Sequence, residues 1–457
     1  MITSPDKTIL IYTGHSCPRL QYIADVLFAG KAGLTNSAED FISFTGFKIN
    51  YTAERMGAVN TISQQSSDTI TADTLPDTLP ETAAAEHLWI VPHGLLEQSG
   101  IQPQATDCFK WEGLTVFFKT AGDIPFDFLA ASFYLISRYE EYLPHHKDAF
   151  GRYAHTNSLA YKEQFLNQPL IQCWLEKITP ANQWKQPFSF LPTYDIDIAY
   201  SYLHHSTIRN VAGFFRDFLR MDAQAVGERL QVLNGIRPDP YAVYEWLDLL
   251  HDSLQLKPIY FFLVAQHKKG LDKNLSPNLP AVKKLIAHCA ALYQLAVHPS
   301  VRSVAHPEIL KKEIGLLQMN SGQPITASRN HYIMLQFPQT YRSLIAAGME
   351  QDYSMGYPSS NGFRASYTAP FLWFDLLADT VTGLTIHPFC YMDSTAIFQE
   401  RLAPEIAAED LQYYFDTVKW SGGECITIFH NNFLTQQEGF IAWRDLYADF
   451  LLRNFTR

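Results

Sequence analysis

Two carboxylates one residue apart close the apolar run Leu191-Pro-Thr-Tyr-Asp-Ile-Asp197, and at strand spacing Asp195 and Asp197 fall on one side of the chain. Such a pair suits a division of labour in which one carboxylate holds a metal ion and the other takes a proton from its water. On its own it is more often a turn or a helix cap, so its weight depends on its company. Three histidines supply that company, in Leu295-Ala-Val-His-Pro-Ser300, Ser328-Arg-Asn-His-Tyr332 and Ile426-Thr-Ile-Phe-His430. A single histidine of this kind is usually a satisfied core residue. Three of them at or beside strand ends, with an aspartate pair, point to a shared role as ligands and acid. Leu384-Thr-Ile-His387 offers a further histidine, and Arg364 in Gly362-Phe-Arg-Ala-Ser366 offers a cation able to hold a carboxylate base in its ionised form.

These side chains can meet only if the strand ends lie side by side, and the chain has the rhythm for that. Strand-like runs at 188–194, 259–264, 294–298, 331–336, 384–391 and 425–430 alternate with helical patterns at 241–254, 279–292, 308–317, 339–347, 404–419 and 440–453. With a short strand near 352–355 they make about seven β/α units, the pattern of a parallel barrel whose active site forms at the C-terminal ends of the strands. The predicted fold class is therefore α/β, a distorted (β/α)7-type barrel preceded by a smaller α/β domain; an open doubly wound sheet is the alternative. The Pro-bearing polar stretch Thr179–Pro187 marks a boundary, giving an N-terminal domain over 1–185 and the barrel over 186–457.

The N-terminal part begins with strand-like runs at Thr8–Thr13 and Leu88–Pro92, separated by a polar Thr-, Asp- and Pro-rich stretch, Gln64–Glu86, that reads as an exposed loop. A helix is predicted from Asp127 to Tyr142, stopped by Pro144. Its end, Ser137-Arg-Tyr-Glu-Glu-Tyr-Leu-Pro144, reads as an ion-paired contact between domains with no catalytic role. The helical insertion Tyr200–Gly235 is expected to pack across the barrel or onto the first domain.

Bulk properties exclude several functions. A chain of 457 residues, 47% hydrophobic, has apolar material for two cores. A formal net charge of −11 without a basic stripe argues against nucleic acid. The N-terminus lacks a basic and apolar leader pattern, and no apolar stretch approaches the roughly 18 residues of a spanning helix. The expectation is a cytoplasmic protein with no membrane partner. Six scattered cysteines without CxxC spacing read as buried free thiols.

In their order, TYDID, HPS, RNHY and a final FH, the motifs resemble those of the polysaccharide deacetylases, carbohydrate esterase family four, from Phe188 to Arg457. The resemblance implies that Asp195 is the base, Asp197 and His298 are metal ligands, and His430 is the general acid, with His387 as competitor. Ile196 is inserted relative to the family's TFDD. Arg302 stands where the family's second motif has its second histidine, so the third ligand falls to His331 or His306; His331 is favoured because a strand end is the more rigid platform. Arg329 matches the family's arginine, with Arg364 as competitor.

The same resemblance implies a divalent metal, zinc first with cobalt, nickel or manganese as alternatives, and a carbohydrate substrate losing acetyl or related acyl groups. Tyr353, Phe363 and His387 are then expected on the substrate side, with Tyr357. The phrases SRYEEYLP, DYSMGY, GFRAS and HNNFL resemble a Bacteroidetes-type group in which such a barrel follows an N-terminal domain of unknown role. Two other classes stay open: a metal-free cyclic-amide hydrolase, and an inactive barrel that binds a glycan or a partner.

Overall fold

The computed structural model of the protein describes residues 7–56, 87–266 and 270–456. The polar stretch 64–86 lies outside the described residues. The chain divides into two compact units: Met1–Leu135, Trp174–Trp184 and Ala378–Thr380 form one, and Ile136–Cys173, Lys185–Leu377 and Val381–Arg457 the other. The boundary near residue 185 falls where the larger unit resumes at Lys185, and Ile136–Cys173 also folds with that unit.

In the smaller unit, β1 (Ile9–Thr13), β2 (Ala32–Thr35), β3 (Phe47–Tyr51) and β4 (Leu88–Ile90) make a parallel sheet in the order β2-β1-β3-β4. β5 (Phe109–Trp111) and β6 (Leu114–Val116) form an antiparallel hairpin. The helix predicted to run to Tyr142 spans only Phe128–Ile136. Asp127 Oδ1 accepts from the Ala130 N–H at its start, and Arg138 adopts a left-handed φ of 55° just beyond its end, so Tyr139–Tyr142 continues as a separate 3₁₀ turn.

The larger unit contains β7 (Phe188–Ile196), β8 (Ile259–Phe262), β9 (Gln294–Val297), β10 (Ala327–Ser328), β11 (Gln351–Met355), β12 (Phe371–Asp375), β13 (Thr380–Pro388), β14 (Tyr391–Met392) and β15 (Gly423–His430). They form one nine-stranded sheet, ordered β12-β13-β11-β10-β9-β8-β7-β15-β14, in which every pairing from β13 to β14 is parallel. Among the described residues β12 and β14 end the sheet, so the pairing does not close into a ring. Helices Tyr244–Leu254, Pro280–Leu292, Pro307–Ser321, Gln339–Ala346, Pro404–Ser421 and Ile441–Phe455 separate the strands. Three of them begin on proline, whose fixed φ and missing N–H suit the first helical position. Gly422 and Gly423 take φ of 77° and 96° on entering β15, and a Cβ on Gly422 would meet the Gln186 carbonyl oxygen at 2.2 Å, so only glycine fits that entry.

Two expectations fail locally. His331–Gln336 is not a strand: β10 is the two-residue Ala327–Ser328, and His331–Ile333 is a 3₁₀ turn beyond it in which Tyr332 has φ 57°. The 200–235 insertion forms helices Thr207–Leu219 and Ala223–Leu233, with Tyr202 and Val232 buried and Glu228 accepting from Gln437 after β15, but the expected packing fails for Ile208, Val211, Phe215, Phe218 and Leu219, which are exposed.

The period-2 alternation of the strands decides what faces the interior. Leu191, Ile259, Phe261, Ala296, Ala327, Tyr353, Ile426 and Ile428 share one buried cluster. Asp195 lies two pairs of residues beyond Leu191 on β7, and His430 lies two residues beyond Ile428 on β15, so both point to that same side. The register sets His430 directly beside Asp195.

Candidate metal centre

Where the strands end, the apolar cluster gives way to a cavity of about 380 Å³ lined by Asp195, Asp197, His298, His331 and His430 and walled by Phe150, Arg152, Tyr332, Met392, Phe398 and Phe433. All of these residues belong to the larger unit.

Asp197, His298 and His331 each bring a ligand atom to within 4.8 Å of the others. His298 Nε2 is 3.3 Å from Asp197 Oδ1, and His331 Nε2 is 3.5 Å from Asp197 Oδ2. Ligands at about 2.0–2.2 Å around a tetrahedral ion stand about 3.4 Å apart, so each imidazole lies at ligand spacing from one of the two Asp197 oxygens. The other ring nitrogens fix the tautomers. His298 Nδ1 donates to the Arg329 carbonyl oxygen, and His331 Nδ1 lies 2.8 Å from Asp272 Oδ1. In its neutral, metal-binding form each ring would therefore turn the lone pair of Nε2 toward Asp197. Asp197 Oδ1 is buried and makes no hydrogen bond among the described residues. Two lone pairs and a carboxylate facing one another need positive charge between them, either a proton or a metal ion.

The titration of the group reflects that need. Burial alone would raise the Asp197 carboxyl, yet the His331 and His298 imidazoles hold it well below the usual carboxylate range. Burial would lower His331, but Asp197 and Asp272 raise it to about 9. A borderline divalent ion replaces that proton naturally at an Asp-His-His set.

Two further pairs complete the site. Arg329, itself buried, directs Nη1 to Asp195 Oδ1 at 2.7 Å, donates from Nε to the Tyr353 carbonyl oxygen, and lies with its guanidinium carbon 4.0 Å from the centre of the Phe261 ring. Asp195 Oδ2 remains, 3.6 Å from His298 Nε2. On β15, His430 Nδ1 is 2.6 Å from Asp393 Oδ1, while its backbone N–H donates to Asp393 Oδ2. Burial would lower the His430 imidazole; Asp393, and then Asp197 and Asp195, raise it to about 10, so it is charged at neutral pH. Its Nε2 stands 3.9 Å from Asp197 Oδ2.

Six residues singled out in the sequence thus meet: Asp195, Asp197, His298, Arg329, His331 and His430. Others lie elsewhere. Arg364 is paired with Glu141 through both Nε (2.9 Å) and Nη2 (2.5 Å), so it neutralises a buried carboxylate of the scaffold and not the base. Phe363 is buried against Tyr414, and Tyr353 is a core residue stacked 4.3 Å from His387. His387 is bound to Glu424 at 2.6 Å, and none of these three lines the cavity. His306 is an exposed partner of Glu308, outside the cluster.

Sequence reasoning missed Asp393, Asp272 and the aromatic wall. Asp393 closes the apolar run Phe389-Cys-Tyr-Met392 just as Asp195 closes its own, a signal that was present. Asp272 sits in a loop with no such mark. There its carboxylate also accepts from the Val301 N–H, while the buried Glu313 accepts from the Ser300 N–H, and together they tie down the turn that follows His298.

Cys289, Cys390 and Cys425 are buried, and Cys17, Cys108 and Cys173 are half-buried. Among the described residues no helix is long and apolar enough to cross a membrane.

A family model described as a family of unknown function (DUF7033) matches residues 9–185. Among solved structures, the chain is similar to a protein of Mycobacterium smegmatis named provisionally as a polysaccharide deacetylase, at 12% identity and TM-score 0.38 over 59% of this chain and 86% of that one. It is similar to a polysaccharide deacetylase from Bacillus cereus at 11% identity and TM-score 0.29, over 59% and 88% of the two chains. The catalytic domain of a peptidoglycan N-acetylglucosamine deacetylase from Eubacterium rectale follows at 10% identity and TM-score 0.29, over 58% and 86%. No curated protein matches the chain.

Proposed function

We propose that the larger unit is a divalent-metal-dependent hydrolase that removes acetyl, or a closely related acyl group, from an amino sugar or glycan. The observation that carries this reading is the convergence of two imidazoles on a half-buried carboxylate, with a carboxylate–arginine pair and a charged histidine–carboxylate pair at the same cavity. Asp197, His298 and His331 would hold the ion, which, when bound, supplies the charge that acidifies water and polarises a carbonyl. Zinc suits two nitrogens and one carboxylate best, with cobalt, nickel and manganese as alternatives.

The chain's own residues divide the remaining work. Asp195 is oriented by Arg329 through Oδ1, which leaves Oδ2 to accept the proton of the attacking water. His430 carries a proton on Nε2 at neutral pH, and donates it to the nitrogen as the C–N bond breaks, so that a neutral amine leaves. A positioned acid of this kind is worth about 10²–10⁴-fold in rate. The aromatic wall, with Phe398 half-exposed at the cavity, suits the apolar faces of a sugar ring.

The test is acetate release from N-acetylated sugars by the purified protein, with and without a chelator. Release that a chelator abolishes and zinc restores is the expected result. Release that survives chelation would assign the cavity to metal-free amide hydrolysis instead.

A further inference from the structure

The helical pair Thr207–Leu219 and Ala223–Leu233 is built inside out. Its seam is polar: Arg229 reaches across to Asp217 at 2.7 Å and to Asn210 at 3.2 Å, with its guanidinium against Gly213 and over the Tyr202 ring. Its outer side is apolar. Ile208, Val211, Phe215, Phe218 and Leu219 recur at helical spacing along one stripe and are 82%, 48%, 58%, 62% and 79% exposed, and Met221 at the turn is 90% exposed. Among the described residues nothing covers this stripe. A water-facing helix normally shows the opposite arrangement, because the apolar side finds a core and the charges find solvent.

Charge says what the stripe meets. The segment 206–237 carries five arginines against three acidic residues and no lysine, in a chain whose net charge is −11. Asp217 is buried and paired with Arg229 and Arg216, and Glu228 is paired with Arg237, which leaves Arg209 and Arg220 exposed along the stripe's own helix and at its end, with Asp222. An apolar stripe with aromatic rings, edged by arginines, is the pattern of a helix that lies in the interfacial plane of a lipid bilayer: the rings enter the acyl boundary and the guanidinium groups stay at anionic headgroups. We propose that this helical pair docks the protein on a membrane surface rich in anionic lipid. From the sequence no membrane partner is expected, on the ground that no segment is apolar enough to span; a surface-lying helix is a different element and departs from that expectation, and the proposal is independent of the hydrolase reading.

Cosedimentation of the full chain with vesicles tests it, comparing phosphatidylcholine alone with equal parts of phosphatidylcholine and phosphatidylglycerol. The wild type is expected to partition to the anionic vesicles and to be released by salt. The double variant Phe215→Ser/Phe218→Ser should weaken binding roughly tenfold or more, and Arg209→Ser/Arg220→Ser should remove most of the preference for phosphatidylglycerol. Both phenylalanines are more than half exposed, so folding is not at stake, and Leu292→Ser, an exposed apolar residue elsewhere at 46%, should bind as wild type. Failure of the wild type to bind either vesicle overturns the proposal, as does equal binding by the double serine variant or equal loss in Leu292→Ser. A wild-type dimer in solution that the serine variant dissociates, without vesicle binding, would assign the stripe to a second copy of the chain and also overturn it.

Discussion

His331 is held in place from behind by Asp272, whose Oδ1 also accepts from the Val301 N–H, so one buried carboxylate orients one ligand and anchors the turn after another. Second partners of this type typically change metal affinity by about 10–100-fold. Asp272→Asn is therefore expected to weaken zinc binding within that range while preserving the fold, as read by competition with a chromogenic chelator. Unchanged affinity would remove Asp272 from the account. His430 allows a test by pH. Against burial, Asp393, with Asp197 and Asp195 behind it, raises it from 6.5 to about 10, so these contacts stabilise the protein fully below pH 6.5 and that contribution is lost as pH rises toward 10. The acid is likewise lost in the same direction. The alkaline limb of kcat/KM should move toward lower pH in Asp393→Asn, and a limb that stays where it was would show that another group sets it. At this scale the sequence showed the residues that end apolar runs, Asp195, Asp197, His298 and His430. It could not show Asp272, because a loop carboxylate acquires its role only from the tertiary contact.

The elements explain why Arg364 misleads when read from sequence. Its guanidinium, together with that of Arg138, closes on Glu141, and Arg138 also reaches Glu140 and the Tyr357 hydroxyl, all inside the larger unit. This network fastens the 3₁₀ turn Tyr139–Tyr142 to the loop after β11. Glu141 is held below its ordinary value even though burial opposes that, because the Arg364 and Arg138 charges outweigh the burial. Breaking such a buried pair from one side leaves an uncompensated charge and costs about 3–5 kcal/mol. Arg364→Ala should accordingly lower unfolding stability by about that amount in denaturant titration, with zinc affinity of the folded fraction unchanged. A loss of metal binding with stability intact would return Arg364 to the site. Helices and long strands were legible because their apolar periods run over many residues. β10, only two residues long, and the left-handed turn at Tyr332 carry no period at all.

The whole molecule shows the same limit at larger scale. The sequence offered a Pro-bearing boundary near 185, and a compositional change is all that a linear reading can detect. The earlier crossing at Ile136 falls within an unbroken apolar helix and leaves no such trace, yet it brings Phe150 and Arg152 to the wall of the cavity. Part of the cavity wall is thus drawn from a stretch that the linear reading assigned to the other domain, and the aromatics that line the cavity are Phe150, Tyr332, Phe398 and Phe433, not Tyr353 and Phe363. What unites the account is one claim, that Asp197, His298 and His331 form a three-ligand centre for a divalent ion. It is tested most directly by measuring metal content after zinc reconstitution in the wild type beside Asp197→Ala, His298→Ala and His331→Ala, with His306→Ala as a control. The account predicts near-stoichiometric metal in the wild type and in His306→Ala, and its loss in each of the other three. No metal in the wild type, or full occupancy retained in His331→Ala, would contradict it.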